Sequence, residues 1–386
     1  MNTYEKGTFG YDLQYLSARG SMIVLQSDDA QAQLIVSPGY QGKVFTSTAQ
    51  GPEGRSLGFV NYKVFESGEL NEHMNGYGGE NRLWIGPEGG CFSIFFKPGV
   101  TQVYDHWFTP PPFDTEPWQV LDSAGKEVRM EKEMQVSNYL GSRLHLNVQR
   151  RVSLLEATGI QTALGIIPGE KVKTVAYATE NSLTNLNDYA WTAETGTVCI
   201  WMLDMFRPAP RALTIVPFIR GDEKELGVVA TTAYFGEIPA GRYREKDGCV
   251  FLKTDGKYRS KIGLNSKRTQ AIAGNYDPDS QHLIVTTFDV DREAVYLNQE
   301  WNPEKDPLRG DVFNAYNDGP LDDGSIMGPF LELESGSPAA LIAPGESLIH
   351  NHHVFHFVGE EAALSAITET LFGIPAKELA LFLPHA

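Results

Sequence analysis

The sequence predicts an all-β protein, a large antiparallel β-sandwich with one helix near its C-terminus. Three observations lead there. Short runs rich in β-branched and aromatic residues recur from end to end, bounded by Gly, Pro, Asn, Asp or Ser. Only residues 360–371 join helical apolar spacing to strong helix formers and a stop, with Gly373 and Pro375 beyond. The strand runs continue without a linker, a compositional break or a short repeat, so residues 1–386 read as one domain.

Taken in order, residues 21–26 and 32–37 flank the turn-former Ser27-Asp28-Asp29-Ala30 as a hairpin, and a strand at 42–47 follows the Pro38-Gly39 turn. Residues 62–65 read as extended. A glycine-rich stretch, 78–90, precedes a dense β-former run at 91–96, which leads into residues 103–108. Pro110-Pro111-Pro112 then forms a rigid extended segment that cannot lie inside a sheet. Leu144, Leu146 and Val148 alternate with His145, Asn147 and Gln149, the mark of a half-buried strand. Strands follow at 172–179, 197–203, 213–219, 228–235, 249–254 and 283–289. Late in the chain, His350, His352 and His356 share one face of a strand, and Ile349, His353, Phe355 and Phe357 the other.

Several function classes are disfavoured. A net charge of −17 opposes nucleic-acid binding, which needs a basic stripe. Cys91, Cys199 and Cys249 lie far apart, so neither a disulfide framework nor a zinc knuckle is indicated. No run approaches the roughly 18 apolar residues of a membrane helix. Residues 1–7 lack a leader's basic-then-apolar profile; taken literally this reads as cytoplasmic, or as periplasmic or secreted if a leader was removed. Two histidines at i and i+2 of a strand can chelate a divalent ion, but no carboxylate shares the face of His350 and His352 within the run. No metal site and no cofactor are assigned.

Chemistry concentrates in four places. In the glycine-rich stretch, Glu80, Arg82 and Trp84 sit where glycines permit close approach. A guanidinium fork matches vicinal oxygens, and an indole offers a flat apolar face, so the stretch suits a polyhydroxylated ligand. The alternative is a turn with Arg82 paired to Glu80 or Glu88 and Trp84 in the core. Tyr104-Asp105-His106-Trp107 places an imidazole among acidic and aromatic neighbours, a setting for a general acid. Asn317 and Asp318, beside Gly319, can satisfy sugar hydroxyls or cap turns. Glu332 and Glu334 alternate with Leu331 and Leu333, so both carboxylates project from one strand face. Mutual repulsion in a cleft would raise one pKa, as acid–base work requires.

These motifs together resemble the galactose mutarotase-like superfamily, the aldose 1-epimerases and their relatives. The likeness rests on Gly78-Gly79-Glu80-Asn81-Arg82, Asn181-Ser182-Leu183-Thr184-Asn185-Leu186, Leu333-Glu334-Ser335, and Ala343-Pro344-Gly345-Glu346-Ser347 with the His350 strand after it. The resemblance implies a β-supersandwich with a groove for a carbohydrate ligand. It implies Glu334, or else Glu332, as base, Arg82 on the sugar hydroxyls, Asn185 near the substrate, and Trp84 or Trp107 stacked on a sugar face. Where mutarotases carry the acid histidine this chain has Leu186, which leaves His106 or His73 to supply the proton. The implied protein is a relative of the aldose 1-epimerases, with a non-catalytic carbohydrate-binding module, or lyase or hydrolase chemistry on the same fold, as the alternatives.

Overall fold

A computed structural model describes residues 4–321 and 324–379. Its strands form three sheets, of three, ten and five strands, and the strands within each sheet pair antiparallel. The five-stranded sheet runs in the order Ser260–Leu264, Phe313–Asn317, Leu331–Gly336, Cys199–Phe206, Arg82–Gly86. Residues from this sheet and from the ten-stranded one share an apolar core that includes Leu331, Leu333, Met202, Leu146, Leu183 and Val354. Strand alternation explains the layering. On Ser347–Val358, Val354 joins that core, whereas Phe355 and Phe357 pack on the other side with Leu364, Ile367 and Phe372 of the helix Glu361–Phe372. The helix ends where the sequence places its stop, at Gly373 in the left-handed conformation.

A polar layer is set into the apolar core. His350, His352 and His356 are wholly buried, and the carboxylates that the run itself lacks come from elsewhere, Asp204 from the strand Cys199–Phe206 and Glu80 from the segment just before the strand Arg82–Gly86. His352 Nε2 lies 2.7 Å from Asp204 Oδ2, and His356 Nε2 lies 2.9 Å from Glu80 Oε1. Ser335 Oγ joins His350 and His352 at 2.9 and 2.8 Å, while Asn81 links Arg150 to Asp204. Among the described residues, no group of three or more His, Cys, Asp or Glu is placed to hold an ion.

Several expectations are corrected. Residues 62–65 belong to a short helix, Tyr62–Ser67, closed by a left-handed Gly68. The 91–96 run is a set of turns whose Phe92, Phe95 and Phe96 are buried, so its aromatic density marks burial and not strand. Residues 103–108 contain a 3-10 turn, Tyr104–His106, and the proline run passes into another, Pro111–Phe113. Residues 228–235 form a loop with one isolated bridge, Thr231 to Gly263. The strand expected at 172–179 runs on as Lys173–Asn185. Helices Phe9–Ser17, capped by Thr8, and Ala157–Leu164 add to the helix the sequence singled out. No helix of the described residues is long and apolar enough to cross a membrane.

Candidate functional site

The outer face of the five-stranded sheet carries the candidate site. Register places Leu203 opposite both Arg82 and Glu334, forming one rung. The next rung runs Met205, Glu332, Tyr316, Lys261. The ion pairs cross between rungs: Arg82 Nη2 donates to Glu332 Oε1, and Lys261 Nζ donates to Glu334 Oε2 at 2.9 Å. Each carboxylate therefore takes the cation belonging to the other's rung. Trp201 Nε1 adds a hydrogen bond of 3.0 Å to Glu334 Oε2.

This floor underlies a narrow cavity of about 90 Å³ at the base of a larger open cleft of about 1180 Å³. Trp84, Trp107, Trp201, Trp301 and Tyr104 supply aromatic walls, and the cavity continues into a wider cleft past Phe235, Arg259 and Met327. Loops build much of that wall, including residues 103–108 and the 228–235 segment, where a strand was expected. Three buried donors at the cavity, Trp84 Nε1, Trp107 Nε1 and Arg82 Nε, have no hydrogen-bond partner among the described residues. Unpaired buried donors are rare in folded proteins, and these three lie behind the cavity surface, out of reach of solvent.

The electrostatics differ from group to group. Burial pushes Glu332 well above the usual carboxylate range; Arg82 opposes the shift and Glu334 adds to it. Burial also lowers the Arg82 guanidinium, against the pull of Glu332. For Lys261 burial acts downward, but Glu334 and Glu88 outweigh it and the ammonium ends above its ordinary value. Half-buried Glu88, also at the cavity, is pushed up to about 6 by burial, with Lys261 opposing. At the mouth, Arg259 Nε donates to Tyr316 Oη at 3.2 Å, and Tyr316 in turn donates to Asp318 at 3.1 Å.

Of the residues singled out by sequence, Arg82, Trp84, Trp107, Glu332 and Glu334 line the cavity. The others lie elsewhere. Glu80 faces the inter-sheet layer, bonded to Ser47 and His356, because regular alternation begins only where the strand does, at Arg82. His106 is exposed, its Nδ1 2.8 Å from Thr101 O. His73 stacks between Tyr104 and Phe108 with Nδ1 2.6 Å from Trp107 O, and so braces the wall from behind. Asn185 donates to Tyr189 O and Ile342 O at the end of its strand. Asn317 holds a turn through Tyr258 O and Gly256 N, and Asp318 orients Tyr316 and accepts from Gly328 N. Leu186 lies beside Gln119, Glu131 and Asn147, on a surface apart from the cavity. A missing histidine at that position therefore says nothing about an acid here.

Gly78 and Gly89 give room to neighbouring backbone. A Cβ at Gly78, where φ is +87°, would stand 2.2 Å from Phe59 O, and one at Gly89 would stand 2.3 Å from Glu300 O beside Trp301. Gly78 O also accepts from Lys43 Nζ at 2.9 Å. Burial, helped by Arg82, lowers that fully enclosed ammonium to about 7. Between pH 7 and the ordinary lysine range, the unfolded chain holds a proton that the folded one does not, so stability rises with pH there by about 1.4 kcal/mol per unit. Lys43→Met is expected to flatten that rise and to raise the urea midpoint at pH 7. Midpoints at pH 7 and 9 check it, and an unchanged slope would sink the assignment.

Sequence reasoning missed Arg259, Lys261, Trp201, Trp301 and Tyr316, and weighed Glu88 only as a partner for Arg82. Trp201 fell within an expected strand, and Glu88 within the glycine-rich stretch. The isolated Lys261 beside apolar Ile262 and Leu264 was the one local hint of a charge on a sheet face.

An antiparallel β-sandwich with an aromatic-walled, doubly ion-paired cavity defines the class of this protein. The chain matches the model of a family of unknown function, DUF6786, over residues 7–383, and it belongs to that family. No curated protein sequence matches it. The Slr1438 protein of Synechocystis sp. PCC 6803 is similar in structure, with a TM-score of 0.52 at 14% identity over 89% of this chain and 97% of that one. A putative aldose 1-epimerase of Escherichia coli K12 aligns at TM-score 0.49 and 14% identity over 87% and 98% of the two chains. A galactose mutarotase-like protein of Lactobacillus casei ATCC 334 aligns at 0.47 and 10% over 87% and 100%. At such identities the likeness is one of fold.

Proposed function

We propose that the cavity binds a sugar and interconverts its anomers, with Glu334 as base and Glu88 as acid. Glu334 takes the proton of the C1 hydroxyl, the bond from C1 to the ring oxygen breaks, and that oxygen takes the proton of Glu88. Rotation about C1–C2 and the reverse steps return both protons, so nothing is consumed. Arg82 would hold hydroxyls, with the Trp84 and Trp107 rings as the apolar wall beside them. The observation that carries this reading is the gathering of Glu334, paired to Lys261, and a separately environed Glu88 in one aromatic-walled cavity. Two carboxyls with different surroundings are what paired acid–base transfer requires.

The test is anomer exchange, read by NMR or polarimetry on sugars that raise the melting temperature. Glu88 works protonated, so the rate is expected to fall as pH rises through about 6. Glu88→Gln should abolish that limb together with most of the activity. A stabilising sugar whose anomers exchange no faster than in buffer would favour the alternative, a binding module.

A further inference from the structure

We infer that the sugar this site takes is acidic, carrying a carboxylate or phosphate that pairs with Arg259. The inference rests on the sugar-binding reading above and adds the substrate's charge. Arg82 and Lys261, on the floor, are each committed to a carboxylate. Arg259, which lines both the cavity and its outer cleft, forms no ion pair among the described residues. Asp318 and Glu88 act on it across space but neither forms an ion pair with it among the described residues; Asp318 meets it through the Tyr316 hydroxyl and is itself occupied by Gly328 N.

Arg259 is also held in place. Its guanidinium carbon stands 3.9 Å above the Phe235 ring while Nε is tied to Tyr316, which leaves the two terminal nitrogens as the free end of the fork. A guanidinium stacked and bonded in this way has already lost much of its rotamer freedom, so less is lost when an anion docks bidentately. In a chain of net charge −17, a fixed cation at a cavity mouth is not a solubility device. The cavity is polarised along its length. Its floor carries carboxylates with oxygens to spare for hydroxyls, and its mouth, at Arg259, Phe235 and Met327, presents a cation and apolar surface. A ligand matching both ends has hydroxyls on one side and an acid group on the other.

The experiment is calorimetric titration of glucuronate, galacturonate, glucose 6-phosphate and their neutral parents, glucose and galactose, into wild type and Arg259→Gln. At least one acidic sugar is expected to bind about tenfold or more tightly than its parent, as for a charge-assisted hydrogen bond. That ratio should fall to near one in Arg259→Gln while affinity for the neutral parent holds. Preference for the uronates or for the phosphate tells the two anions apart. Neutral sugars binding as tightly as acidic ones, or a ratio untouched by the substitution, would overturn the inference and leave the sugar-binding reading standing. Binding of no sugar of either kind would overturn both.

Discussion

Arg82→Met is expected to lower the unfolding free energy by about 3–5 kcal/mol, the usual cost of stripping one partner from a buried ion pair. Methionine fills much of the same volume, so the loss comes from Glu332, left in a low-dielectric floor without its cation. The variant's deficit should also depend on pH in a defined sense. Glu332 is already raised by burial, and removing Arg82 raises it further. Above the unfolded carboxylate range the folded state then holds a proton that the unfolded chain has lost, so stability falls as pH rises. Wild type keeps the same proton up to about pH 8, so the deficit should grow only above that and be larger at pH 10 than at pH 7. Adding Glu332→Gln should recover most of it, since an amide needs no counter-charge. Urea denaturation of the single and double variants at both pH values measures this. Equal deficits at pH 7 and 10 would mean that the ion pair is not what Arg82 contributes.

Glu334→Gln is expected to slow anomer exchange by about 10²–10⁴-fold, the range for loss of a general base, with little change in sugar affinity. The amide oxygen can still accept from Lys261 and from the Trp201 indole, as the carboxylate does, so the floor keeps its shape. What is lost is the ability to take a proton. Exchange rate and ligand-induced melting shift, measured on the same preparation, separate the two effects. A variant that exchanges anomers at the wild-type rate would remove Glu334 from the chemistry.

Much of the fold was readable because strand alternation is a local signal. The two faces of the His350 strand and the shared face of Glu332 and Glu334 followed from a period of two, and the helix Glu361–Phe372 followed from its stop. The site was only partly readable, since alternation says which face a side chain takes but not which strand lies alongside. Arg82 and Glu332 are 250 positions apart, and Lys261 and Glu334 are 73 apart. No spacing rule links them. Neighbourhood in sequence misled in the opposite direction: His106 is next to Trp107, yet the ring that reaches the cavity is the indole. The dense aromatic run at 91–96 reads as β-forming because burial alone selects the same residues that strands favour. The helix Phe9–Ser17 escaped for a related reason, since its Phe, Tyr and Leu content resembles that of the surrounding strand runs.

The polar layer behind the cavity floor bears on how the sheet finds its alignment. A strand that slips by one residue exchanges its two faces, and in most sheets the error is felt on the buried side alone. On Leu331–Gly336 a slip would carry Glu332 and Glu334 toward His350 and His352, and Ser335 toward the tryptophans, so neither surface would accept the misalignment. Arg82 and Lys261 would lose their acceptors in the same event. The central strand is thus checked from both sides, and a chain that has paired it wrongly holds no intermediate in which half of the partners are content.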